Sequence, residues 1–157
     1  MKHLKYFKES VNTNHDIDDI VDSYLECALW TNDEEEDFIG KTIYDFSAKS
    51  RKLVTSEIKW FMTIASDELG SALDDISDKS IGHDIWLTRN GHGTGFWDRD
   101  YDKEVEELLV ELSKELDFTD IYVGDDDLIY FSDTDDKFKD FDLDQYKLDK
   151  KAKQYNL

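Results

Sequence analysis

Apolar residues recur at helical spacing over 16–30. Ile17, Ile20, Val21, Tyr24, Leu25, Ala28 and Leu29 make one stripe there and predict a first helix. Asn14 or Asp16 is placed to cap its start, and the aspartates at 16, 18 and 19 suit the positive end of the helix dipole. A second helix is predicted over 47–69. Val54, Ile58, Phe61, Ala65 and Leu69 mark its buried face, Leu53, Trp60 and Ile64 widen it, and Gly70 ends it. The piece SALDDISDKS after it is short and polar, a loop with at most one helical turn. From His83 to Arg89 the period changes. Ile85 and Leu87 alternate with Asp84, Trp86 and Thr88, which predicts a strand. Arg89 to Gly95 is turn chemistry, with Asn90-Gly91 as a hairpin signal, and Phe96 to Arg99 returns as a second strand. A third helix is predicted over 103–116, on Val105, Leu108, Leu109, Leu112 and Leu116. A second hairpin follows: Ile121 to Val123, a turn at Gly124 to Asp127, then Leu128 to Phe131.

Helix, helix, hairpin, helix, hairpin is the order of an α+β domain. The expectation is one antiparallel sheet of two hairpins, 83–99 and 121–131, covered on one face by about three helices. Residues 1–131 form this domain. Past Ser132 the periodicity fades into DTDDKFKDFDLDQY and then the basic KLDKKAKQYNL, so 132–157 is expected to be a partly ordered tail.

Composition fits one folded domain. The chain has 157 residues, and aromatics at 13% supply core volume although hydrophobic content is only 39%. With no proline at all, its loops rely on Gly, Asn and Asp. Cys27 is the one cysteine, so no internal disulfide forms, which suits a cytoplasmic setting. Beside apolar YLECALW neighbours it is expected to be a small buried hydrophobe. The N-terminal MKHLKYFKESVN has no apolar run and is not an export signal, and no window approaches a membrane span.

Unusual chemistry concentrates in GHDIWLTRNGHGTGFWDR, residues 82–99. It holds four of seven glycines, two of four histidines, two of four tryptophans and two of three arginines. As a hairpin it offers two outcomes. Its glycines could simply serve a turn while Trp and Phe pack the core. Alternatively, His83, Arg89, His92, Asp98 and Arg99 could line a ligand site, with backbone N–H groups cradling an anion and His83, Asp84, His92 or Asp98 moving protons. The segment lacks the GK[ST] ending of a phosphate loop, and GHGTG is not a dinucleotide fingerprint. No catalytic residue, metal or cofactor is expected. There is no HExxH, one cysteine excludes Cys-rich zinc sites, and the acidic turns at 33–37 and 124–127 would hold Ca²⁺ only weakly. In DTDDKFKDFDLD the sixth-position glycine and closing glutamate of a calcium loop are missing. There is no GxSxG either, and Cys27 has no histidine partner in its helix.

Three stretches carry a family resemblance: ECALWTNDEEED at 26–37, GHDIWLTRNGHGTGFWDR at 82–99 and IYVGDDDLIY at 121–130. In that order and at these spacings they resemble a group of small acidic proteins of tailed bacteriophages, over about residues 17–130. Members typically carry EAALW or ECALW, then GHDFWLTRNGHGAGFWDR, then YVGDDGKIY. The resemblance implies a phage origin and the cytoplasm of a bacterial host, and it transfers no catalytic residues. The chain departs from the pattern at Asp127, where glycine is usual, and at Asp100, where glycine is common.

Charge then shapes the functional expectation. Thirty-nine acids against 19 Lys and Arg give −20, well beyond the magnitude of roughly 2–8 that keeps a small domain soluble. Direct binding to nucleic acid or an anionic membrane is disfavoured, and basic surfaces are the natural partners. Ten acids and no Lys or Arg lie between Asp16 and Asp37. The leading expectation is a non-enzymatic phage accessory protein that binds a basic, nucleic-acid-binding host or defence protein in the manner of a DNA mimic. Asp18, Asp19, Asp22, Glu26, Glu34, Glu35 and Glu36 would carry that contact, with acids around 125–144. A small ligand-binding or enzymatic domain built on 83–99 is the alternative, and a structural or self-associating protein the third.

Overall fold

The computed structural model describes residues 14–155. The MKHLKYFKESVN stretch read above as no export signal lies outside the described residues. Helix α1 spans Ile17–Trp30, α2 spans Ala48–Leu69, α3 spans Asp78–Arg89, and α4 spans Lys103–Glu115. Strands β1, Ile121–Val123, and β2, Ile129–Phe131, follow, and α5, Leu143–Tyr155, comes last. Single 3-10 turns at Glu36–Phe38, Ile43–Asp45, Gly70–Leu73 and Phe96–Asp98 punctuate the connections.

Local chemistry sets these boundaries. Asp16 caps α1 by accepting the Asp19 N–H at 3.2 Å. Ser47 caps α2 and Ser77 caps α3, each accepting the N–H three residues on. Gly70 ends α2 at φ 53°, in the left-handed region. The α+β class holds, with the helices now dominant. The sheet has two strands, paired antiparallel with Ile121 opposite Phe131 and Val123 opposite Ile129. Phe46 bridges Ile129 in parallel, and the Ser47 N–H and Ser50 hydroxyl both donate to the Ile129 carbonyl, which ties β2 to the start of α2.

The first expected hairpin is corrected. Residues 83–89 lie in helix α3, and 96–98 form a 3-10 turn, so no strand occurs between 83 and 99. Two physical reasons account for the misreading. First, α3 is buried nearly all round: Ile81, Gly82, Asp84, Ile85, Trp86, Leu87, Thr88 and Arg89 are all inside, so no one-sided stripe marks it as helical. Second, Asn90-Gly91 ends a helix instead of turning a hairpin. Gly91 sits at φ 66°, its N–H donates to the Thr88 carbonyl, and the His92 N–H donates to the Leu87 carbonyl. That is the paired bonding of a Schellman cap, a conformation for which glycine is suited as well as it is for a tight hairpin.

The core lies between α1, α2 and α3, closed by α4 and the hairpin. Tyr24 meets Trp86 edge-on at 5.4 Å, Phe46 stacks on Phe131, and Phe61 stacks on Phe96. Cys27 is buried here, and burial, then Asp84 and Glu26, pushes its thiol up to about 12, so it is an unreactive packing residue. The stretch read as a partly ordered tail carries α5. That helix has no buried residue and rests on α2 through the pairs Lys147–Asp67 and Lys150–Glu68, while Phe138 in the segment before it stacks on Trp60 at 4.1 Å.

Candidate functional site

The residues proposed for a ligand site on 83–99 do not converge on one surface. Helix α3 directs Arg89 inward, where it is 6% exposed. Its Nε–H donates to the Asp117 carbonyl at 2.8 Å and its Nη2–H to the Leu116 carbonyl at 2.6 Å. Its Nη1–H groups reach the Tyr24 hydroxyl at 2.9 Å and Glu57 Oε2 at 3.0 Å. The guanidinium thus caps the C-terminal end of α4 while neutralising a buried glutamate. Burial opposes its charge, but Tyr24 and Glu57 outweigh that and hold its pKa above the ordinary value. Burial pushes Glu57 up, with Arg89 pulling the other way. Arg99 forms a two-pronged pair with Asp84, Nε to Oδ2 at 2.9 Å and Nη2 to Oδ1 at 2.8 Å, and Asp84 is fully buried.

Of the rest, Asp98 is exposed on its 3-10 turn and His92 is half-buried at the α3 cap. His83 is half-buried, and its Nε2 is buried without a hydrogen-bond partner among the described residues. Burial lowers its pKa below the usual imidazole value, with Glu26 opposing. Trp86 is buried and donates to the Thr31 hydroxyl at 2.9 Å, whereas Trp97 is 38% exposed. The arrangement ties α1, α2, α3 and α4 together; it does not present a reactive group. Among the described residues, no group of three or more His, Cys, Asp or Glu side chains is placed to hold a metal. No described helix is long and apolar enough to cross a membrane.

The acidic surface is better formed. Asp18, Asp19 and Glu26 are exposed on α1, and Glu34, Glu35 and Glu36 are exposed in the turn after it. Asp22 differs, because Arg51 holds it at 2.7 Å. Repulsion acts on Asp19. Asp16 above all, then a small loss of hydration, then Asp78, Asp22 and Asp18, push its carboxyl above the ordinary aspartate value. Helix α1 is about 20 Å long and carries Asp18, Asp19 and Glu26 along its exposed side. Of the acids around 125–144, Asp125, Asp126 and Asp127 are exposed in the hairpin turn.

A second acidic row escaped the sequence argument. Glu104, Glu107 and Glu111 are exposed along the outer face of α4. Their spacing of three and four is legible in the sequence as one helix face. At the end of that row, burial and then Glu111 push the Glu115 carboxyl up. His15 was also missed. Its Nδ1 lies 2.6 Å from Asp78 and its Nε2 donates to the Leu73 carbonyl at 2.9 Å, pinning the start of α1 to the start of α3.

No family model, no curated protein and no solved structure matches the chain.

Proposed function

We propose that the protein is a non-enzymatic phage accessory protein whose acidic surface binds a basic, nucleic-acid-binding host or defence protein in the manner of a DNA mimic. The exposed acids of α1 and the turn after it, with no Lys or Arg between Asp16 and Asp37, carry this reading. Like charges held together on a folded helix raise one another's energy, and a cationic partner relieves it. Asp18, Asp19, Glu26 and the Glu34–Glu36 turn form the contact, extended by Asp125 and Asp126. Asp22 and Asp127 contribute less, since Arg51 and Lys41 already neutralise them. The saturation of Arg89 and Arg99 by internal partners weighs against the rival ligand site on 83–99. The resemblance of the sequence to tailed-phage proteins supports a partner in a bacterial cytoplasm.

The test is capture from bacterial lysate on immobilised protein at low and at high salt. A nucleic-acid-binding protein retained at low salt and released at high salt is the expected result, because screening shrinks from roughly 10 Å at 0.1 M to about 3 Å at 1 M. Retention that high salt leaves intact contradicts an electrostatic mimic.

A further inference from the structure

Among the described lysines, Lys41, Lys103, Lys137, Lys147 and Lys150 are ion-paired with carboxylates. Lys49, Lys52 and Lys139 are not. All three line one cavity of about 210 Å³ between the start of α2 and the segment after β2, and none is ion-paired with a described carboxylate. The cavity's single acid, Asp136, is occupied by the Ser56 hydroxyl, which donates to it at 2.8 Å. The walls between the lysines are Leu53, Phe131 and the ring of Tyr130, with Ser50 and Thr134 beside them. Folding therefore gathers three cations from two distant stretches around an apolar hollow, in a molecule that has carboxylates to spare. The positive end of the 22-residue helix α2 adds to the same field.

We propose that this cavity binds a small phosphomonoester with a flat apolar body. The phosphate sits among the ammonium groups of Lys49, Lys52 and Lys139, and the body lies against Leu53 and Tyr130. Phosphate suits the site better than carboxylate. Three lysines less Asp136 leave a local charge near +2, and a phosphomonoester carries about −1.5 to −2 at neutral pH. Lysine also binds phosphate as a point charge, without the flat two-pronged geometry that arginine brings to carboxylates. The group can reach the cavity as a free small molecule or on a phosphorylated tyrosine of another protein. This inference stands apart from the acidic surface and does not depend on it.

The experiment is a ¹H–¹⁵N NMR titration of the full chain with phenyl phosphate at fixed ionic strength. Phenol serves as the uncharged control, and a short neutral phosphotyrosine peptide forms a second arm. Saturable shifts confined to 49–53 and 130–139 are expected, with Kd on the order of 1 mM, and phenol produces none. Binding of both phosphates assigns the site to either source, and binding of phenyl phosphate alone assigns it to a free ligand. The variant K49Q/K52Q/K139Q weakens binding by at least about tenfold. K139Q alone, at an exposed position, weakens it in the same direction and serves if the triple variant fails to fold. Absence of saturation, shifts centred elsewhere, or shifts that K139Q leaves unchanged overturn the proposal.

Discussion

Arg89 makes four hydrogen bonds inside the molecule and shows how a residue that reads as a ligand group becomes a structural one. Replacing it with Met strands the Glu57 carboxylate in the interior, and breaking such a buried pair costs about 3–5 kcal/mol. Urea unfolding of R89M should show a loss of that size, and adding E57Q should recover part of it. An R89M protein as stable as wild type would mean the pair is not buried as described. His83 makes a pH prediction. Burial lowers its folded pKa, so as pH falls below about 6.5 the unfolded chain takes up a proton that the folded protein refuses. Its contribution to stability therefore declines from near pH 6.5 down to the folded pKa. Stability measured from pH 7.5 to 5 should fall less steeply in H83Q than in wild type; identical slopes would remove His83 as the cause. Asp127 sits at φ 68°, a backbone conformation that favours glycine. It is compensated by Lys41, whose Nζ reaches its carbonyl at 2.7 Å and its carboxylate at 2.9 Å. The pairing explains why an aspartate is tolerated there.

Helix α3 is the element on which the fold turns, and Gly82 is why it can. A Cβ there would lie 2.1 Å from Ser23 Oγ, 2.5 Å from the Ile20 carbonyl oxygen and 2.8 Å from the Tyr24 nitrogen. Two of those atoms are backbone of α1, so neither can step aside without parting the helices. G82A should lower the Tm by the equivalent of about 1–3 kcal/mol or more, while G93A, with open space around it, should leave the Tm nearly unchanged. Equal melting of the two variants would contradict the close α1–α3 contact. The same element marks the limit of what the pattern along the chain could tell. Helices α1, α2 and α4 and the 121–131 hairpin were legible because each has one wet side and one dry side, and that difference is written as a period. In α3 both sides are dry, and its isoleucines, threonine and tryptophan suit a strand as well. The SDKS cap at 77–80 was the available signal for its start, and it was hidden inside a stretch read as loop. The Arg99–Asp84 pair joins two residues of the one segment that the sequence singled out. The Arg89–Glu57 pair was not legible, since it joins residues 32 apart in the chain.

At the scale of the whole molecule, −20 is a standing repulsion that the fold offsets by burial and by scattered ion pairs. Raising salt from 10 mM to 0.5 M should therefore raise the Tm, because screening relieves the repulsion, while the same change weakens partner binding. A Tm that falls with salt would mean ion pairs outweigh repulsion, and the crowding that motivates the proposed function would lose its basis. The central claim is that this surface competes with duplex DNA for a basic protein. Its most direct measurement is displacement. Bacterial lysate proteins are loaded on immobilised duplex DNA, and the protein or its D18K/D19K/E26K variant is added at matched concentration and salt, with polyglutamate as a plain polyanion control. The account predicts release of a discrete DNA-binding protein by the wild-type chain, and not by the charge-reversed variant or by polyglutamate. No release, or equal release by all three, would contradict it.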